Sequence, residues 1–560
     1  MNCSEAVYSE DYYDLLLAAE LTLPDFLKDA CIQKIDQEFS VIYIPKQGLP
    51  PLSISDYTYS AIPNCYTLLD QQVMEASGIT RVQNQPVLSL RGQGVLVGLV
   101  DTGIDFQNQV FRNSDGSSRI LRIWDQTIEG DPPEGFIYGT EYTMEQINEA
   151  LASDNTSSQL PHRDTNGHGT FMAGIAAGNE VQSEDFEGAA PYAEIVMVKL
   201  KPAKQYLRNF YYIPEKADAY QENDIMAGVA YLIQLAQTLK RPMAICLGLG
   251  TNSGDHSGGG VLSRYLDNAS LTRNITLTVS AGNEVNARHH YYGEVTMDNA
   301  VDRVEINVEE KVPGFHLELW AKAPELYSVR VISPSGERVP SIRGSREGAD
   351  EYRFVFENTV LTIDYRIVGE TTGDQLIYMS FRGPTRGIWT IEVSNDYQVN
   401  GHYHMWLPIT GLISGDVTFI RSNPDTTITE PGNAGPPMTV AGYNSAVGSI
   451  YVNSSRGYTA DGRVKPDFAA PGVEVLGPAP GGRFVRRTGS SVAAAIATGA
   501  SALFLEWAVG RGNQPQITTA QVQNELIRGA NRVSGREYPN REWGYGTLNL
   551  YQSFEQMRRK

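Results

Sequence analysis

Cysteine is scarce in this chain: Cys3, Cys31, Cys65 and Cys246 are the only four in 560 residues, and they form no CxxC pair or metal-ligand spacing. So few, so placed, they are expected to be free thiols in a reducing compartment. Long apolar runs are also missing, since no stretch approaches the ~18–20 residues that a membrane span needs. The N-terminus, MNCSEAVYSEDYYDLLLAAELTLPDFLKD, has no basic lead-in, and Glu20 breaks its one apolar run. We therefore expect no secretory signal and a protein kept inside the cell. Positive charge is in deficit, with 45 Lys and Arg against 65 Asp and Glu, a net −20. Nucleic acid and anionic membranes repel such an anion, which argues against either as the main partner. No HExxH or comparable histidine cluster exists, which counts against a metal-dependent hydrolase.

What is present is enough apolar residue, 41%, for several cores; at about 100–200 residues per domain the length suggests roughly three units. Residues 1 to about 65 are mixed: FLKDACIQKIDQ has helical spacing, FSVIYIPKQ reads as a strand, and KQGLPPLS as a turn or linker. From about 66 to 285 apolar strands (GVLVGLVDTG, EIVMVKLK, ITLTVSAGN) alternate with helical patterns such as DIMAGVAYLIQLAQTL. That alternation predicts an α/β fold, a parallel sheet with helices on both faces and reactive groups at the strand ends. From about 290 to 425 the texture becomes short alternating runs with turn signals, the pattern of an antiparallel, jelly-roll-like insert. The α/β texture returns at PMTVAGY and a long Ala-rich helix, SSVAAAIATGASALFLEWA.

Three short pieces can carry chemistry. Asp101 ends a strand in DTGID, His168 lies in TNGHGTFMAGIAAG, and Ser491 opens a helix in TGSSVAAAIATG. A serine hydroxyl is a weak nucleophile until a base takes its proton, and the base needs a carboxylate to set its tautomer and stabilise the imidazolium. A helix start also favours a developing oxyanion. Asp, His, Ser is one of the known chain orders for such a triad.

DTGID, NGHGTFMAG and GSSVAAAIATG, in that order, resemble the three catalytic blocks of the subtilases, the subtilisin-like serine proteases. RGYTADGRVKPDFAAPG and REWGYGTLNL extend the resemblance over most of residues 70–285 and 425–550. It implies Asp101, His168 and Ser491 as orienting acid, general base and nucleophile, Asn283 in VSAGNE as the oxyanion-hole amide, and Leu247, Gly248, Leu249 and Gly250 as the strand that pairs with substrate backbone. Departures are Ser490 for threonine, Ala495 for proline and Phe171 for a second histidine; none removes a catalytic group. Glu284 stands beside Asn283, either near the pocket mouth or as a solvated charge. Calcium is common in the family, but no ligands can be assigned here, and no cofactor is expected.

The long connection after Asp101, the inserted β module and the absent signal resemble the Csp germination proteases of spore-forming clostridia. That resemblance implies a cytoplasmic or spore-associated, self-processing endopeptidase that activates a spore-germination hydrolase precursor. The partners implied are a protein or peptide substrate and the chain's own prodomain. The expected division is 1–66 as prodomain, 67–288 and 428–560 as the two parts of the catalytic domain, and 289–427 as the β insert. The alternative is a sensor or scaffold whose only cleavage is of itself.

Overall fold

The computed structural model describes residues 3–18, 30–68, 75–153, 155–296, 300–340, 348–367, 373–397 and 399–558. Aliphatic and β-branched runs build the central sheet. Its parallel strands lie in the order Met438–Asn444, Ile275–Ser280, Met243–Leu247, Leu96–Asp101, Glu194–Lys199 and Ile120–Asp125. Three of them, Leu96–Asp101, Met243–Leu247 and Ile275–Ser280, are buried at every position, because helices cover both faces of a parallel sheet. One face carries helices His168–Ala177, Ser490–Leu505 and Thr519–Gly529, and the other Glu222–Leu239 and Val261–Ala269. Small residues let the two central helices close up: a Cβ on Gly499 would lie 2.8 Å from the Ala176 carbonyl oxygen. The helix from Ser490 continues to Gly510, 21 residues apolar enough by composition to cross a membrane. The expectation that no such stretch exists is therefore corrected. Every residue of Ser490–Leu505 is buried inside the protein, which is the setting of a core helix.

Between the Ile275–Ser280 and Met438–Asn444 strands the chain builds two antiparallel sheets, one of six strands and one of four. They face each other across an apolar core that includes Phe315, Leu317, Tyr327, Ile363, Trp389 and Tyr403. The alternating texture of the sequence is the pleat of these strands, seen in the burial of every second residue along Val301–Val308.

The N-terminal segment forms a three-stranded antiparallel sheet, with Phe39–Pro45 between Tyr12–Ala18 and Cys31–Lys34. The predicted helix over Phe26–Gln37 is corrected where it is described: Cys31–Lys34 is a strand, and residues 26–29 lie outside the described residues. Asp36 Oδ1 accepts from the Glu38 and Phe39 amides, turning the chain into a hairpin that overrides the helical spacing. The expectation of four free thiols is corrected too. Cys3 and Cys31 are joined in a disulfide, while Cys65 and Cys246 are free and buried. Since disulfides persist in oxidising surroundings, cysteine usage no longer argues for a reducing compartment. The segment is fastened to the α/β body by buried charge: Lys204 Nζ lies 2.6 Å from Asp14 Oδ1, and Gln221 Nε2 donates to Asp14 Oδ2 at 3.1 Å.

Candidate active site

The Leu96–Asp101 strand delivers Asp101 at its carboxyl end, where an open α/β sheet presents its reactive groups. There the carboxylate accepts the Thr102 amide at 2.7 Å and faces His168 Nδ1 at 2.8 and 2.9 Å. His168 opens its helix after Gly167, whose φ of 84° favours a residue without Cβ. Its Nε2 lies 3.3 Å from Ser491 Oγ. Asp101, His168 and Ser491 are 2, 1 and 0% exposed, so the relay sits in a low-dielectric setting that strengthens each contact. Ser490, the competing serine, points elsewhere: its Oγ accepts the Gly282 amide at 3.1 Å.

A second buried pair, His162 and Asp125 (2.6 Å), tests this selection. His162 Nε2 accepts the Ile104 amide at 3.2 Å, so that nitrogen is committed and faces no hydroxyl. Burial raises the Asp125 carboxyl, but the His162 hydrogen bond and charge and the Lys199 charge outweigh it and hold it below its usual range. This pair ties a loop; among the described residues, His168 is the histidine that joins an acid to a serine.

Asn283, half-buried after the Ile275–Ser280 strand, accepts the Ser490 amide through Oδ1 at 3.1 Å. That donor fixes the amide orientation, since only oxygen can accept, and leaves the NH₂ end to donate on the other side. Gly248 lies beside the serine: a Cβ there would lie 3.1 Å from His168 Cε1, Met172 Cε and Ser491 Cβ. Leu249 and Gly250 pair antiparallel with Leu68 and Thr67. Leu247, by contrast, ends the central-sheet strand, paired with Val279, and is buried there. On its other edge the Cys65–Leu68 strand pairs with Tyr220–Gln221. It therefore fills the groove between two strands, so that this stretch of chain lies as an added strand.

Asp164 was not singled out by sequence reasoning. Its Oδ1 accepts from Thr102 Oγ1 and the Gly167 amide, both at 2.8 Å; Oδ2 accepts from the Thr170 amide at 2.8 Å and hydroxyl at 2.6 Å. It thus clamps the Asp101 strand end to the start of the His168 helix. A clue was its place four residues before the histidine, in DTNGH. Asp164→Ala is expected to lower kcat about 10–100-fold with little change in KM, because a misplacement near 1 Å can cost about 10²-fold; peptide hydrolysis by the purified variant measures it. Glu284 lies at neither of the two sites considered for it. It is buried, accepting from His289 Nδ1 at 2.8 Å, Asn252 Nδ2 at 3.1 Å and the Thr410 amide at 3.3 Å. Burial raises its carboxyl, yet the His289 charge and these hydrogen bonds hold it below the usual range. Among the described residues no three His, Cys, Asp or Glu side chains converge on a metal position.

The sequence profile of the subtilase family matches residues 92–318 and 413–546. The solved structure of the Clostridium perfringens CspB protease is similar with a TM-score of 0.77 and 28% identity, over 86% of this chain and 97% of that one. C5a peptidase of Streptococcus pyogenes serotype M6 is 21% identical over 453 residues, 73% of this chain and 34% of its own. The chain thus spans about a third of the length of that curated relative. Subtilisin-like protease SBT3.1 of Arabidopsis thaliana is 31% identical over 126 residues, 19% of this chain and 16% of its own.

Proposed function

The chain belongs to the subtilase family, and from that premise we propose that it is a serine endopeptidase in which Asp101, His168 and Ser491 carry out peptide-bond cleavage, including its own processing. The observation that carries this reading is the continuous run of hydrogen-bond contacts from Asp101 through His168 to Ser491 Oγ. Ser491 Oγ attacks the scissile carbonyl while His168 Nε2 takes its proton, and Asp101 stabilises the imidazolium. The Asn283 NH₂ holds the oxyanion. His168 returns the proton to the leaving amine, and water repeats the sequence on the acyl-enzyme.

We divide the chain into a prodomain (1–66), a catalytic domain in two parts (67–288 and 428–560) and an inserted β domain (289–427). The pairing of Cys65–Leu68 along Leu249–Gly250 supports self-cleavage. The expected cut, between Ala61 and Met74, falls partly on residues 69–74, which lie outside the described residues. The described register leads from Leu249 back towards Gly248, the neighbour of Ser491, so the cut is expected within one or two residues after Leu68, which carries the end of the prodomain a few residues beyond 66. The prodomain is expected to stay attached after the cut through its strand pairing in the groove and the contacts of Asp14 with Lys204 and Gln221. The likeness to CspB supports limited proteolysis of a spore-germination hydrolase precursor as the task, in a spore-associated setting. The filled groove also favours a second reading, a scaffold that cleaves only itself. Cleavage of an added precursor or peptide separates the two.

Wild-type protein should run as two fragments on a denaturing gel and Ser491→Ala as one. The cut should proceed at a rate independent of protein concentration, because it is intramolecular. A single intact chain in active enzyme contradicts the prodomain reading, and concentration dependence contradicts cleavage in cis.

A further inference from the structure

We propose that the buried carboxylate of Glu222 forms a specificity subsite that selects a tyrosine in the substrate, at the groove position Tyr66 occupies. The proposal rests on the reading that Cys65–Leu68 lies where substrate lies.

Tyr66 is 1% exposed, and its ring shares one apolar cluster with Tyr220, Ile225, Leu249 and Val261. These residues come from both strands that border the groove and from the two helices behind it, so an apolar box receives the ring. The box ends in a carboxylate. Tyr66 donates its hydroxyl to Glu222 Oε1 at 3.2 Å; the Leu262 amide donates to the same oxygen at 3.0 Å, and the Asn64 amide to Oε2 at 3.1 Å. Burial, and then the Glu222 and Glu430 charges, hold the Tyr66 hydroxyl protonated, far above its usual range, which keeps it a donor.

Two of the three donors thus come from the strand in the groove rather than from the enzyme body. When that strand leaves, Glu222 keeps the Leu262 amide and needs replacements for the other two. Any extended substrate can supply the main-chain amide that Asn64 supplies. Only a side chain with a donor at the far end of a ring can supply the other. Phenylalanine fills the box and strands the carboxylate, a buried charged group without its partner. An acidic side chain would bury a second carboxyl beside Glu222, whose own carboxyl burial already pushes above its usual range, and is disfavoured. Sites built to bond a hydroxyl reject the analogue lacking it far more strongly than apolar pockets reject a methylene.

The test compares two synthetic peptides with the sequence from Ala61 to Met74, one with Tyr and one with Phe at the Tyr66 position. Wild-type enzyme, Glu222→Leu, Glu222→Gln and Ser491→Ala are assayed on both. Wild type should favour the Tyr peptide about 10–100-fold in kcat/KM, the range for one hydrogen bond to a charged group. Glu222→Leu should bring the ratio below threefold, mainly by accepting Phe better, and Glu222→Gln, which keeps an acceptor, should fall between. The wild-type ratio stands even where a variant fails to fold. Ser491-dependent cleavage of both peptides within threefold by wild type overturns the subsite alone, as does a Glu222→Leu enzyme that discriminates like wild type. Absence of Ser491-dependent cleavage of either peptide overturns the subsite together with the endopeptidase assignment to Ser491.

Discussion

Ser491→Ala is expected to abolish peptide hydrolysis and self-cleavage, a loss of roughly 10⁶ in turnover, while the fold and its cooperative melting persist. The hydroxyl is small and its contact with His168 Nε2, at 3.3 Å, is long. Its loss leaves one buried acceptor unpaired at a cost of about 1–3 kcal/mol, which a protein with two cores on the sheet faces and a third in the β module can absorb. Hydrolysis of a single peptide by both proteins, with melting curves beside it, makes the measurement. Ser490→Ala is the matched control. Its Oγ supports the Gly282 amide, so that change should perturb the neighbouring Asn283 without removing the nucleophile. Activity that survives in Ser491→Ala and vanishes in Ser490→Ala would assign the chemistry to the wrong serine.

Asn283→Ala carries the second large effect, a fall of about 10²–10³ in kcat with KM nearly unchanged. The amide is anchored at its oxygen by the Ser490 N–H, so the NH₂ end is held in place before substrate arrives. Charge develops on the scissile oxygen only as the tetrahedral intermediate forms, and a donor aimed at that charge is worth most in the transition state. Truncation removes the donor and leaves Oγ of Ser491 and both nitrogens of His168 untouched. A loss below threefold, read as kcat on one peptide substrate, would take Asn283 out of the reaction.

The sheet strands and their flanking helices were legible because their patterns are local. GVLVGLVDTG and ITLTVSAGN are uninterrupted apolar runs, and a parallel strand covered on both faces has no polar side to show. Local motifs also located Asp101, His168 and Ser491, because a strand end and two glycine-led helix starts each leave a short signature. What escaped was set by contacts distant in sequence. Thr102 and Asp164 are 62 residues apart, and Tyr66 and Glu222 are 156 apart, so no window along the chain contains either pair. Cys31–Lys34 has helical spacing but becomes a strand because the hairpin at Asp36 and the bond to Cys3 decide it. Leu247 shares the LGLG motif with Gly248, Leu249 and Gly250 yet belongs to the sheet, since the sheet strand ends at Leu247, one residue before the motif begins to serve the groove. Glu284 adjoins Asn283 in sequence and still turns inward, drawn by His289 and Thr410, partners from the β module side that sequence proximity to Asn283 could not reveal.

The most direct test is covalent labelling of the wild-type protein with a fluorophosphonate, followed by mass spectrometry of the labelled peptide. The label requires a serine activated by a neighbouring base, in a folded site. The account predicts one modified residue, Ser491, with labelling lost in His168→Ala and in unfolded protein. Modification of a different residue, or an unmodified Ser491 in folded protein that cleaves peptides, would contradict it.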